Sequence, residues 1–329
     1  MEEPGLRGGA GMSETMESST YGTPPSSGSK SGFTNARTPI VLLIIAMIGF
    51  GALTYPSAAN WFASLTQRSD VASYVRQIEN IPVQELTDTL RDAEEYNSHV
   101  PAGVLRDPYS GSSSDQAGDP GYQQYLSTLT ASENGVIGEM RYPRLDISLP
   151  IYHGTSDDVL RRGVGHLYGS SLPIGGPSTH SVLTSHSGLL SASLFTDLPK
   201  AAVGDVFTVN VMGEDRYYEV RQIETVLPEE TQSLRISTGQ DRVTLVTCTP
   251  TGINSHRLLV HGERIDAPVG SDGKELASSG ETAGFPWWAL GFISGSALVA
   301  FILFKPVNRR KAPNGATEHV FDSKWEGLR

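Results

Sequence analysis

Cys248 is the only cysteine in a chain of 329 residues, and it stands in the run Thr244-Leu245-Val246-Thr247-Cys248-Thr249-Pro250. A lone thiol has no internal disulfide partner, so it is inert and buried, paired with another chain, or chemically employed. The thiolate is the reactive form, and it needs a histidine, a cation or a helix N-terminus beside it. Eight histidines are available. His186, in Leu183-Thr184-Ser185-His186-Ser187-Gly188, sits where a β-like run ends before a glycine turn, which suits an imidazole presented to a cleft. His166, His180, His256 and His261 are not excluded by spacing. Arg257 opens the run Arg257-Leu258-Leu259-Val260, which returns beside the cysteine strand as a hairpin partner. A guanidinium in that place offers fixed hydrogen bonds to a developing oxyanion.

The elements that must position these groups follow from the hydrophobic pattern. From Val136 onward, short β-like runs recur between Pro, Gly and Asp: 136–142, 147–152, 181–185, 206–211, 217–226, 243–247 and 258–262. Many short strands over about 130 residues predict a closed barrel or a sandwich. Before them, Trp61, Leu65, Val71, Val75 and Ile78 have near-helical spacing, and Pro82 suits the start of a second helix carrying Leu86, Leu90, Ala93 and Tyr96 on one face. Residues 103–121 are turn-rich, and a further short helix is expected over 122–130.

Two apolar runs flank this region. The first, 40–55, covers roughly 24 Å as a helix, short of a hydrocarbon core of about 30 Å, and Pro56 is expected to interrupt it. It reads as a retained anchor or as a cleaved signal peptide; the long stretch preceding it favours the anchor. The second, 284–304, covers roughly 32 Å and begins with Trp287 and Trp288, the residue type of an interfacial belt. Lys305, Arg309, Arg310 and Lys311 follow it, and Lys30 and Arg37 precede the first run. By the positive-inside rule both termini are cytoplasmic and the segment between the crossings lies outside the cell membrane. The organisation expected is therefore a disordered tail (1–38), an anchor (39–56), a helical region (57–133), a barrel (134–266), a linker (267–283), a transmembrane helix (284–304) and a second tail (305–329). The net charge of −11, with no basic stripe, excludes a nucleic-acid partner. CxxC, HExxH and P-loop patterns do not occur, so no cofactor or metal is expected.

The cysteine run, followed by Asn254-Ser255-His256-Arg257-Leu258, resembles the active-site signature of sortases, and Leu183–His186 resembles that family's histidine segment. Ser171–Gly176 and the Gly204-Asp205 turn extend the resemblance, which runs from about residue 57 to 304. It implies a mainly β fold: a closed eight-stranded sortase-type barrel with short helices, an N-terminal helical region and flanking transmembrane helices. It further implies Cys248 as nucleophile, His186 as acid and base, Arg257 as oxyanion or substrate clamp, and Thr247 as support for substrate or oxyanion. Asp107-Pro108-Tyr109, within a segment of about 103–121, resembles the lid triplet of class C sortases, which polymerise pilins. Pro108 stiffens that turn, Tyr109 is placed to cover the thiol, and Asp107 to pair with Arg257. Thr251 departs from the class pattern, which often has an aromatic after Cys-Thr-Pro. The activity implied is a cysteine transpeptidase that cleaves an LPxTG-like sorting signal through a thioester. Its partners are then proteins bearing such signals and an acceptor lysine of a pilin subunit. Two other readings stay open: a same-fold enzyme that attaches surface proteins to peptidoglycan, and a membrane-tethered β-barrel binding module with an inert cysteine.

Overall fold

The computed structural model describes residues 37–100, 105–109, 119–268 and 284–305. Residues 1–36 and 306–329 of the expected tails, 269–283 of the linker, and 103–104 and 110–118 of the lid segment lie outside the described residues.

Eight strands close into a barrel: β1 (Val136–Tyr142), β2 (Ile147–His153), β3 (Val164–His166), β4 (Thr179–Thr184), β5 (Val206–Val211), β6 (Glu214–Val226), β7 (Asp241–Thr249) and β8 (His256–Ile265). Their order around the barrel is β1-β2-β3-β4-β7-β8-β6-β5. The β2–β3 and β4–β7 pairs are parallel, and the other neighbours are antiparallel. Seven of the eight were legible in the sequence. β3 was missed because three residues, Val164-Gly165-His166, give no alternation to read.

Period-two alternation sorts the side chains of the central strands into two layers. Leu183, Val243, Leu245, Leu258 and Val260 face the main core, with Phe207 and Tyr218 from β5 and β6. Their neighbours Val182, Val246 and Leu259 face the other way and form a smaller apolar cluster on the outer surface. Cys248 is in step with Val246 and therefore belongs to that outer face.

Helix α1 (Arg37–Glu79) is a single element of 43 residues, with Pro56 inside it. The break expected at Pro56 does not occur. A proline interrupts one i→i−4 bond, here at the Ala52 carbonyl, and the turns on either side carry the helix through. In its C-terminal half Gln67, Val71, Tyr74 and Ile78 are buried, a 3–4 spacing that lays one face on the barrel. The Tyr74 hydroxyl donates to the Ile137 carbonyl (3.2 Å) and accepts from the Met212 amide (2.7 Å), pinning the helix to the barrel wall. Helix α2 (Val83–Ser98) packs through Ala93 and Tyr96. Helix α3 (Pro120–Ser127) is capped by Asp119, and α4 (Asp157–Arg162) by Ser156. Helix α5 (Trp287–Phe304) lies beside the first half of α1, where Gly295 admits the Phe50 ring. Both α1 and α5 are long and apolar enough to cross a membrane.

Candidate active site

The site is assembled on β7, β8 and the loop after β4. Cys248 and Arg257 are direct register partners across the β7–β8 pair, so the thiol and the guanidinium project side by side from one face. The β4–β7 pair is parallel, so the loop leaving β4 emerges beside the end of β7 that carries the cysteine. That loop holds His186. It is tied down on both sides: the Ser185 amide donates to the Val246 carbonyl (3.2 Å), and the Ser187 hydroxyl donates to the Cys248 carbonyl (2.8 Å). Gly188 completes the turn at φ +75°, and a Cβ there would stand 2.3 Å from Thr251 Cγ2. Thr251 thus packs against the histidine loop.

His186 Nε2 lies 3.1 Å from Asp157 Oδ1, at the start of α4. Asp157 also accepts from Arg161 Nε (2.7 Å), and the Arg161 and His186 contacts hold its carboxyl below the usual range. Asp157 was not anticipated. Ser156-Asp157-Asp158 is readable as a helix start, but nothing local to it shows that α4 abuts the histidine.

The triplet Asp107-Pro108-Tyr109 lies over these groups. Asp107 engages Arg257 in a two-pronged ion pair, with Nε and Nη2 each 2.8 Å from a carboxylate oxygen. The two side chains are only 11 % and 9 % exposed. The third guanidinium nitrogen donates to the Asn254 (3.0 Å) and His256 (3.2 Å) carbonyls, which fixes the plane of the group. The Tyr109 ring sits 4.9 Å from Arg257 Cζ and 5.7 Å from the His186 ring centroid. Its hydroxyl donates to the Ser185 carbonyl (2.6 Å) and accepts from Thr184 (2.8 Å). Leu105 and Tyr109 also complete the outer apolar cluster of Leu167, Val182, Leu234, Val246 and Leu259. The triplet and the residue two before it therefore cover the groove as well as the thiol.

Burial pushes the Cys248 thiol above its ordinary pKa. The nearby Arg257 charge opposes this, Asp107 adds to it, and the Tyr109 hydroxyl opposes it. With Asp107 neutralising Arg257, burial prevails and the thiol form is favoured. Thr247 is fully buried, and its hydroxyl donates to the Ser185 carbonyl (2.9 Å), so that hydrogen supports the histidine loop.

The other candidate histidines are used elsewhere. His166 is enclosed by Tyr125, Ser170 and Ser171. His180 and His261 share the Thr244 hydroxyl (2.6 and 2.7 Å), in a chain that ends on Glu224. Burial lowers the pKa of each. His256 is half-exposed, and its ring Nδ1 lies 2.9 Å from the Ser255 hydroxyl. Among the described residues no three His, Cys, Asp or Glu side chains converge as metal ligands.

Comparison with known proteins agrees with this geometry. The sortase domain model matches residues 140–265. The crystal structure of sortase C-1 from Actinomyces oris is 47% identical, aligns with 56% of this chain and 99% of its own, and superposes with a TM-score of 0.53. The chain belongs to the sortase family. Sortase C1 of GBS pilus island 1 is 40% identical, with 62% of this chain and 94% of that chain covered and a TM-score of 0.54. The curated sortase A of Streptococcus agalactiae serotype III (strain NEM316) is 30% identical over 145 residues, 43% of this chain; this sortase spans 58% of that relative's length. The closed mixed barrel is the sortase fold, and membership brings the expected enzyme class, a cysteine transpeptidase, in place of an inert binding module.

Proposed function

We propose that this sortase is a membrane-anchored enzyme with its barrel outside the cell, and that it joins pilin subunits through an LPxTG-like sorting signal. The Cys248 thiolate attacks the threonine carbonyl carbon of the signal. The resulting oxyanion is held by Arg257. The threonine–glycine C–N bond breaks, His186 gives its proton to the leaving amine, and a thioester remains on Cys248. A lysine amine of a pilin subunit then attacks the thioester, His186 takes its proton, and the thiolate leaves as the isopeptide bond forms. Acid–base assistance of this kind contributes about 10²–10⁴ in rate. The observation that carries the reading is the register pair of Cys248 and Arg257 beneath Asp107 and Tyr109. This arrangement supports a reading in which Arg257 serves as oxyanion donor beside the nucleophile and the triplet acts as a lid over both. The pilin assignment is supported by the lid triplet, by the second apolar helix, and by the pilus-island neighbour. Attachment of proteins to peptidoglycan would use the same acyl chemistry with a different acceptor amine.

Full-length protein incubated with a sorting-signal peptide should carry an acyl adduct on Cys248, visible by intact mass and removed by hydroxylamine. Co-expression with a pilin should give a high-mass ladder that is lost in Cys248→Ala. An adduct that persists in Cys248→Ala overturns the assignment; acylation without a ladder, with transfer to a peptidoglycan amine, moves the enzyme to the cell-wall class.

A further inference from the structure

A cavity of about 980 Å³ lies away from the thiol. It lies where the outer halves of α1 and α5 meet the β1–β2 end of the barrel. Its walls include Trp61, Ser64 and Arg68 of α1, Trp288 of α5, and Asp146 and Ser148 of the barrel. Its size is at the upper end of the range for small-molecule sites, roughly 300–1,000 Å³. The catalytic groups do not line it.

Two buried donors in this wall have no protein acceptor among the described residues: Arg68 Nη1 and Trp288 Nε1. A buried donor without a partner is costly, and such groups ordinarily find a bond. Trp61 shows the contrast, because its indole N–H donates to the Gly284 carbonyl (2.8 Å). The helix carries the cavity to a definite depth. Side chains of an α-helix tilt toward its N-terminus, which for α1 is the apolar end. Arg68 therefore leans from above toward the level of Trp61 and Trp288, whose rings pack at 6.2 Å. Tryptophans of this kind mark the boundary between hydrocarbon and headgroups. The ionisable side chains in the wall are Arg68, Arg141 and Asp146; Arg141 is engaged with Asp215, which leaves one cation and one carboxylate toward the cavity. An amphiphile with a single phosphodiester charge, reaching up from the leaflet, meets the arginine and the indole together.

We propose that this cavity binds the phosphodiester headgroup of an anionic membrane phospholipid, with Arg68 as the anchoring cation and Trp288 as a second donor. The site holds the barrel at a set height above the leaflet by joining α1, α5 and the barrel through one lipid. The inference rests on α1 and α5 crossing the membrane, and its test separates the two.

Full-length protein in detergent is examined by native mass spectrometry with added phosphatidylglycerol or phosphatidylcholine, and membranes from the same cells are washed with alkaline carbonate. Phosphatidylglycerol should be retained by the native chain, about tenfold more weakly by Arg68→Gln, a difference typical of one charged hydrogen bond. Arg68→Lys should recover part of the loss. Millimolar inorganic phosphate should not displace the lipid. Equal retention by native protein and Arg68→Gln overturns the site, and so does equal retention of both lipids. Displacement by inorganic phosphate overturns the lipid in favour of a free anion. Release of the chain by carbonate overturns the membrane crossings themselves, whatever the lipid binding.

Discussion

Removal of Asp107 tests whether the lid is held by its ion pair. Two charge-assisted bonds at 2.8 Å join Asp107 to Arg257, and both side chains are nearly excluded from water. Hydrogen bonds to charged groups contribute about 1.5–3 kcal/mol net. With Tyr109 still bonded to Ser185 and Thr184, Asp107→Ala loses both bonds; because they join one carboxylate to one guanidinium, the pair is counted as a single charge-assisted interaction of about 2 kcal/mol. At about 1.4 kcal/mol per decade, the ratio of closed to open lid falls roughly 30-fold. If a small alkylating reagent reaches Cys248 only through the open form, its rate constant rises by the same roughly 30-fold factor. The substitution acts on the thiol too. Asp107 pushes the Cys248 pKa up while Arg257 pulls it down, so without the carboxylate the pKa falls. Stopped-flow alkylation across pH separates the effects: the midpoint of the profile reports the thiol, and the high-pH plateau reports access. The expected result is a lower midpoint and a plateau raised at least tenfold. A plateau that changes less than about threefold refutes the pair as the latch, even if the midpoint moves.

His186→Ala should lower turnover of a sorting peptide by about 10²–10⁴, whereas Asp157→Asn should cost less than about fivefold, because an exposed pair contributes only about 0–1 kcal/mol; a loss for Asp157→Asn as large as that for His186→Ala would place Asp157 in the proton-transfer step. Acid should destabilise the barrel through its buried histidines. Burial lowers His153 and His180 from 6.5 to about 4 and His166 to about 3. Below pH 6.5 the unfolded chain therefore takes up protons that the folded chain refuses, and stability is lost as pH falls from 6.5 toward 4. Three such groups give a slope of roughly 4 kcal/mol per pH unit near pH 5. Denaturant midpoints measured from pH 7 to pH 4.5 check this, and a flat profile across that range refutes it.

The chemistry of the site was readable because it depends on residue type at short range. Cys248 and Arg257 are nine residues apart, and a β-run, a turn and a second β-run suffice to bring them back together as register partners. The alternation in β6 and the apolar runs of β4, β7 and β8 likewise disclose strands, since burial of one face imposes the period. The strands' closure into a barrel came from the family resemblance; local pattern leaves barrel and sandwich open. β3 is too short to carry a period, and α1 continues through Pro56 because the proline removes a single backbone bond while the turns on either side keep theirs.

By itself the sequence determined which residues are equipped to react, and a lone thiol with a strand-end histidine and a returning arginine is a strong constraint. It also determined that two helices are apolar enough to meet a bilayer. Only the tertiary structure decided what those residues face. Asp107 reaches Arg257 across 150 residues of chain, and Asp157 meets His186 through the placement of α4. The same folding buries His166, His180 and His261 in their own hydrogen-bond chains. It also leaves Arg68 and Trp288 sharing one wall. Each of these depends on where separate elements pack, and packing is set by the complementarity of whole faces, which no local spacing contains.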